Sequence, residues 1–238
     1  MVIPFPQSVV FIGNSYRILK DIQRDKIYDL FIDEKFRMPV GMHKWINMFN
    51  LSGERVENAF TFARTCTLST ISRVFQYKIA TCTLPTEEYL WNYQVRDNYY
   101  CKRCLNSTTN FSLERDNIRH NLFACSIVAP FLSKVLNFFI MECKAADYIS
   151  EVDYLLGFRG KAYEGLNCAL IELKKFIFYH FSEERSPNVN FRIYNSRLRR
   201  IILCDKRHSL SRNKFETFYE KWKYFSPVYQ IYGPDPLY

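Results

Sequence analysis

The stretch Leu166-Asn-Cys-Ala-Leu170-Ile-Glu-Leu173-Lys-Lys-Phe176-Ile177-Phe-Tyr-His-Phe181 decides the fold class. Its apolar residues recur every three or four positions along one broad face, which is the period of an α-helix. Strand-like alternation is scarce elsewhere in the chain, and β-branched runs are short. The sequence therefore predicts a mostly α fold made of irregular helical bundles.

Further helices are predicted on both sides of this stretch. The helical period recurs at residues 15–32, 43–49, 69–80, 127–140, 191–204 and 209–225. Thr86 has the residue type of an N-cap, and Glu87 and Glu88 suit the first turn that would follow it. Gly157 and Gly160 are typical stops for a short helix before them. We divide the chain into an N-terminal helical region (1–98), a zinc-binding segment with its following helix (99–140) and a basic C-terminal helical region (141–238).

The composition is that of a globular protein. The chain has 238 residues, of which 48% are hydrophobic and 17% aromatic, so most of it can fill a core. It contains no apolar run of about 18 residues, which argues against a membrane partner. The N-terminus lacks a positive region and carries Pro4 and Pro6, unlike a signal peptide. We therefore expect an intracellular protein, cytoplasmic or nuclear, with reduced cysteines.

One constellation of residues has the spacing of a metal site. Cys101-Lys-Arg-Cys104 is followed by His120 and Cys125, which gives C-x2-C-x15-H-x4-C. Three thiolates and one imidazole form the tetrahedral soft-ligand shell that Zn²⁺ prefers, with no open position for hydrolysis. The pattern predicts an inserted CCHC zinc knuckle holding one structural Zn²⁺. The alternative is that Cys101 and Cys104 are incidental and His120 is an ordinary histidine.

Positive charge is concentrated in the C-terminal part. Residues 166–225 hold 13 Lys and Arg against 6 Asp and Glu, within a formal net charge of +9 for the chain. Such asymmetry is typical of a surface that binds polyanions, although a solvated helix face is the alternative. The candidate contact residues are two in the knuckle and five downstream: Lys102, Arg103, Arg197, Arg199, Arg200, Lys206 and Arg207.

The order of several sequence boxes resembles a known family. Ser72-Arg-Val-Phe-Gln-Tyr-Lys-Ile79 precedes Leu84-Pro-Thr86, the two cysteines of the C-x2-C pair, and Asp116-Asn-Ile-Arg-His120-Asn-Leu-Phe-Ala-Cys125. Three more boxes follow: Ile149-Ser-Glu-Val-Asp-Tyr-Leu-Leu-Gly157-Phe158, Leu170-Ile-Glu-Leu-Lys-Lys-Phe-Ile-Phe-Tyr179 and Asn213-Lys-Phe-Glu-Thr-Phe-Tyr-Glu-Lys-Trp222. Over roughly residues 26–224 the chain resembles the C-terminal region of LINE-type (non-LTR) retrotransposon polyproteins, including their reverse-transcriptase-associated zinc-binding segment. It departs from the family in a longer loop between Cys104 and His120, and in having Asp116-Asn117 where the family has an acidic residue and Thr.

The resemblance implies a role in holding nucleic acid during target-primed reverse transcription. We expect weak, sequence-independent binding of RNA or single-stranded DNA, with basic residues contacting phosphates and aromatic rings stacking on bases. The paired aspartates that bind Mg²⁺ in a polymerase palm occur nowhere in the sequence, and no glycine-rich phosphate loop is present. The expected function is therefore a non-enzymatic zinc-binding and nucleic-acid-binding module.

A second interpretation assigns the chain a structural role. A retrotransposon remnant adopted into a larger protein or ribonucleoprotein assembly would use its surface to contact partners and would need no nucleic-acid site. Exposed aromatics such as Tyr224, Phe225 and Tyr229 would then lie in the interface.

Overall fold

The computed structural model describes residues 9–12, 15–18, 40–106, 112–181 and 191–230, and the chain divides into two units, Met1–Pro39 and Val40–Tyr238. In the first unit, strands β1 (Val9–Ile12) and β2 (Ser15–Ile18) pair antiparallel, with Val9 opposite Ile18. The predicted helix over 15–32 is therefore wrong at its beginning. Of residues 15–18, only Ile18 belongs to the helical pattern of apolar residues. Tyr and Ile are also residue types that favour strands. The rest of that prediction lies outside the described residues.

The second unit is mostly helical, as predicted. Its helices in the described segments are α1 (Val40–Phe49), α2 (Gly53–Cys66), α3 (Thr70–Ala80), α4 (Glu87–Asn92), α5 (Lys102–Leu105), α6 (Ala129–Asn137), α7 (Glu151–Leu156), α8 (Glu164–Phe181), α9 (Phe191–Leu210), α10 (Phe215–Trp222) and α11 (Ser226–Gln230). π-Helical turns cover His120–Ala124 and Phe138–Glu142, and 3₁₀ turns cover Lys161–Tyr163 and Lys223–Phe225. Within these segments no helix combines the length and apolar composition that a bilayer span requires.

Local sequence signals set several helix ends. Ser69 and Thr86 cap α3 and α4, and each side-chain oxygen accepts a hydrogen bond from a backbone N–H three residues later, over 3.3 Å. Pro130 occupies the first turn of α6, where a missing N–H costs little. Helix α7 ends at Gly157, whose φ of +82° is disfavoured for other residues. The cap at Thr86 and the stop at Gly157 confirm the helix ends predicted at these residues.

Helix α8 forms the centre of the second unit. Helices α2 and α3 contact it, as do α9 and α10. Residues 165–177 are all buried, including Glu172, Lys174 and Lys175. The sequence predicted one buried apolar face for this helix, whereas the structure buries residues 165–177 of α8 on every side.

Candidate metal centre

Two separate chain segments meet at the predicted zinc ligands. Cys101 precedes the single turn α5, and Cys104 lies within it, so both thiols project to the same side. The backbone N–H of Cys101 donates to Glu114 O over 2.9 Å. Tyr100 and Arg115 form an antiparallel β-bridge beside this hydrogen bond. These backbone contacts hold the C-x2-C pair beside residues 114–115, which precede His120 in the chain.

A π-helical turn positions the other two ligands. The backbone N–H of Cys125 donates to His120 O over 2.9 Å, an i to i+5 bond that closes the turn. This closure explains the x4 spacing, since it brings two residues five positions apart to the same end of one turn. The Cys125 carbonyl then accepts from the N–H groups of Val128 and Ala129, which starts helix α6.

The four ligand atoms lie close together and are buried. Cys104 Sγ is 3.4 Å from His120 Nε2 and 3.7 Å from Cys125 Sγ, and Cys101 Sγ is 4.0 Å from Cys125 Sγ. All four atoms lie within 4.8 Å of one another, which is close enough to hold a metal ion. All eight cysteines of the chain lie in described segments and are free thiols, so no disulfide competes for these sulfurs.

Three of the six distances between the ligand atoms are close to those expected around a tetrahedral ion. Bonds of about 2.3 Å to sulfur and about 2.05 Å to nitrogen separate the ligands of tetrahedral zinc by about 3.8 Å between sulfurs and about 3.5 Å between sulfur and nitrogen. The sulfur contacts of 3.7 and 4.0 Å and the sulfur–nitrogen contact of 3.4 Å match these values.

The buried cysteines of the cluster shift one another's pKa values. The contact with Cys125 lowers the pKa of Cys101, and the same contact raises the pKa of Cys125. Burial raises the pKa of Cys104. A bound divalent ion would stabilise all three sulfurs as thiolates.

A buried carboxylate supports the centre from outside the ligand set. Asp116 accepts hydrogen bonds from Glu87 N over 3.0 Å and from Asn121 Nδ2 over 2.9 Å, and Arg103 Nη2 lies 3.7 Å from its Oδ1. Burial raises the pKa of Asp116, although the bond from Glu87 N opposes this effect. Sequence reasoning did not assign Asp116 this role. Its available signal was the acidic position shared with the resembled family.

The structure gives the two basic knuckle residues different surroundings. Lys102 is half exposed and its Nζ lies 3.0 Å from Glu87 Oε1. The Arg103 side chain is only 11% exposed, and it donates to Asn121 O over 3.1 Å besides facing Asp116. Arg103 is therefore engaged inside the protein.

The downstream basic residues all lie on helix α9 but not on one patch. Arg197 and Arg200 line a groove between α8 and α9, together with Arg192 and His180, which sequence reasoning did not select as contact residues. Arg199 and Lys206 are half buried, and Arg207 is exposed nearer the end of the helix. The only acidic residue of α9, Asp205, accepts from Lys221 Nζ and from Trp222 Nε1.

No protein-family model matches the chain, and no curated protein matches it with significant similarity. The resemblance to LINE-type polyproteins therefore rests on the sequence boxes alone.

Proposed function

We propose that the chain is a non-catalytic module derived from a retrotransposon reverse-transcriptase polyprotein, which uses one structural Zn²⁺ to hold its fold and binds RNA or single-stranded DNA. The observation that carries the proposal is the buried convergence of Cys101, Cys104, His120 and Cys125, whose ligand atoms all lie within 4.8 Å of one another. A Zn²⁺ there would supply folding free energy, because its four ligands join the α5 turn to the start of α6.

The arrangement of the sequence boxes supports the family assignment. Gln76 of the first box donates to Leu155 O over 2.9 Å, and Leu155 belongs to the box that ends at Phe158. Lys174 of the third box donates to Gln76 Oε1 over 2.6 Å and to Leu155 O over 2.9 Å. Three boxes that are far apart in sequence therefore meet in one buried polar network.

A second contact joins the same boxes. Ser72 of the first box hydrogen-bonds to Glu172 of the third box, and Lys175 Nζ donates to Ser72 Oγ over 2.8 Å. Polar residues that recur in a fixed order are expected when each one satisfies another in the core. This gives the quoted boxes a physical reason to occur together.

The charge of helix α9 supports the nucleic-acid part of the proposal. The helix carries six Lys and Arg residues, and its one acidic side chain, Asp205, is buried against α10. Its exposed charge is therefore positive, as phosphate binding requires. Because Asp116 neutralises Arg103, we assign the nucleic-acid contacts chiefly to α9 and keep Lys102 as the exposed cation of the knuckle.

The structural-subunit interpretation keeps one supporting observation. Helix α3 exposes Ile71, Val74 and Tyr77, of which Ile71 is 68% exposed. Apolar residues of this kind are typical of contact surfaces. The C-terminal aromatics support it less, since Phe225 is buried against Phe139 and Trp222 and only Tyr224 is exposed; the side chain of Tyr229 lies outside the described residues.

Two measurements on the full chain test the proposal. Elemental analysis of protein purified without chelator should give one zinc per chain. Fluorescence anisotropy with labelled single-stranded RNA should show binding that weakens steeply with salt. Protein that folds without metal contradicts the zinc part, and absence of binding at low salt contradicts the nucleic-acid part and favours the structural subunit.

A further inference from the structure

An open basic groove lies between the last turns of α8 and the first half of α9. Its volume is about 650 Å³, and Phe176 and His180 line it from α8. Arg192, Arg197 and Arg200 line it from α9. Arg197 and Arg200 are three residues apart, so they lie on the same face of the helix and point along the same groove.

An aromatic stack forms part of the groove wall. The His180 ring lies on the Phe176 ring with centroids 4.2 Å apart and planes inclined by 22°, and His180 Nδ1 is 3.2 Å from Phe176 O. Phe176 is buried, whereas His180 is exposed. One face of the imidazole is therefore covered by Phe176, and the His180 side chain lines the groove.

The charges that the described residues place around the groove favour an anion. The acidic residue that approaches it in the described structure is Glu172, whose Oε2 lies 3.5 Å from Arg197 Nη2. Glu172 is buried and already accepts hydrogen bonds from Lys175 Nζ and Ser72. It therefore neutralises Arg197 only in part, and Arg200, which is exposed, adds a further positive charge.

We propose that this groove seats one nucleotide of a bound single strand, with the base stacked on His180 and the adjoining phosphate held by Arg197 and Arg200. Aromatic rings that stack on bases beside cations that hold the backbone are the usual means of binding single strands. Ile193, which is 53% exposed, adds apolar surface at the groove, and the Ser196 hydroxyl adds a hydrogen-bond donor. This inference rests on the proposed nucleic-acid function and names its site.

Matched substitutions in the full chain test the stacking. The probe is a fluorescein-labelled oligouridylate of about 16 nucleotides. His180→Ala should weaken its binding about fivefold or more, which is the effect of removing one stacked ring. His180→Phe should retain most of the affinity, because it keeps a flat ring over Phe176.

A second pair of variants tests the phosphate contact. Arg200→Gln should weaken binding several-fold more than Arg64→Gln, which removes the same charge from an exposed position on α2 that is not a candidate contact. Unchanged circular dichroism and melting temperature in each variant exclude loss of fold as the cause.

The outcomes separate this inference from the proposed function. If wild-type protein does not bind the oligouridylate even at low salt, the proposed function fails, and the inference fails with it. If wild-type protein binds but His180→Ala and Arg200→Gln bind as Arg64→Gln does, the groove is not the site although the function stands. If polyglutamate displaces the RNA as well as unlabelled oligouridylate does, the groove recognises negative charge alone. That result would overturn the proposal that a base stacks on His180.

Discussion

Lys174 Nζ lies 2.6 Å from Gln76 Oε1, and neither side chain is exposed to solvent. The second acceptor of Lys174 is the backbone carbonyl of Leu155, so both of these partners are neutral. Burial therefore dominates and lowers the pKa of Lys174 to about 7. A lysine of this kind makes the stability of the fold depend on pH.

The comparison of wild-type protein with Lys174→Met should reveal this dependence. In the unfolded chain a lysine has a pKa of about 10.4, compared with about 7 for Lys174 in the native protein. Between these two pH values the unfolded state binds a proton at Lys174 that the native state does not. The free energy of unfolding of wild-type protein should therefore rise with pH relative to the variant, by at most about 1.4 kcal/mol per pH unit. Urea denaturation at several pH values measures it. A difference that does not change with pH would mean that Lys174 is charged in the native state.

The burial of three charged side chains of α8 could not be predicted from the sequence. Charged residues on a helix normally face solvent, so residue type alone does not indicate that Glu172, Lys174 and Lys175 are buried. Their partners Ser72 and Gln76 lie about a hundred residues earlier in the chain, and only the tertiary fold brings them together.

The predicted and missed helices differ for local reasons. Helix α3 was predicted from its helical period, and helix α4 was predicted from the capping residue Thr86 and the acidic residues of its first turn. Helix α2 was missed, because small residues such as Ala59, Ala63 and Cys66 form much of its buried face. The metal cluster was predicted because Cys and His at this spacing have few other uses. The role of Asp116 could not be predicted in the same way, because it depends on contacts that only the tertiary fold creates.

Removal of a proposed zinc ligand should destabilise the fold. Cys104→Ser or His120→Ala should lower the melting temperature by about 10 °C or more, because binding free energy at a structural site is folding free energy. Cys204→Ser is the matched control, since Cys204 is exposed and lies outside the cluster. Calorimetry and zinc content measure the effect. Equal melting temperatures for all three variants would show that the cluster does not hold the fold together.

The buried pair beside the centre should also matter for stability. The side chains of Arg103 and Asp116 are 11% and 6% exposed, and removing one partner of such a pair costs about 3–5 kcal/mol. Arg103→Gln or Asp116→Asn should therefore lower the melting temperature by about 10 °C. Lys102→Gln, at a half-exposed position, should cost about 1 kcal/mol or less. A larger effect for Lys102→Gln than for Arg103→Gln would contradict this assignment.

The chain should neither polymerise nor cleave nucleic acid on its own. The expectation follows from the absence of paired palm aspartates in its sequence. Primer extension on an RNA template with Mg²⁺ or Mn²⁺, and incubation with labelled single strands, should give no product above background. Metal-dependent product that persists through repeated purification would reveal an active site.

Nucleic-acid binding should depend on salt in proportion to the phosphates contacted. Each phosphate neutralised on a single strand changes the slope of log K against log salt by about −0.7, so four or five engaged cations give a slope of about −3. Replacing Arg197, Arg199 and Arg200 with Gln should flatten the slope by about two units if all three contact phosphates.

The size of that change separates the candidate cations. Arg199 is half buried, whereas Arg197 and Arg200 line the groove, so a flattening of about 1.4 units would assign the contacts to the two groove arginines alone. Lys102→Gln tests the knuckle and should flatten the slope by about 0.7 if this lysine leaves Glu87 for a phosphate. A slope that stays at its wild-type value in every variant would place the nucleic acid elsewhere on the protein, because counterion release follows the cations that are engaged and not the net charge of the chain.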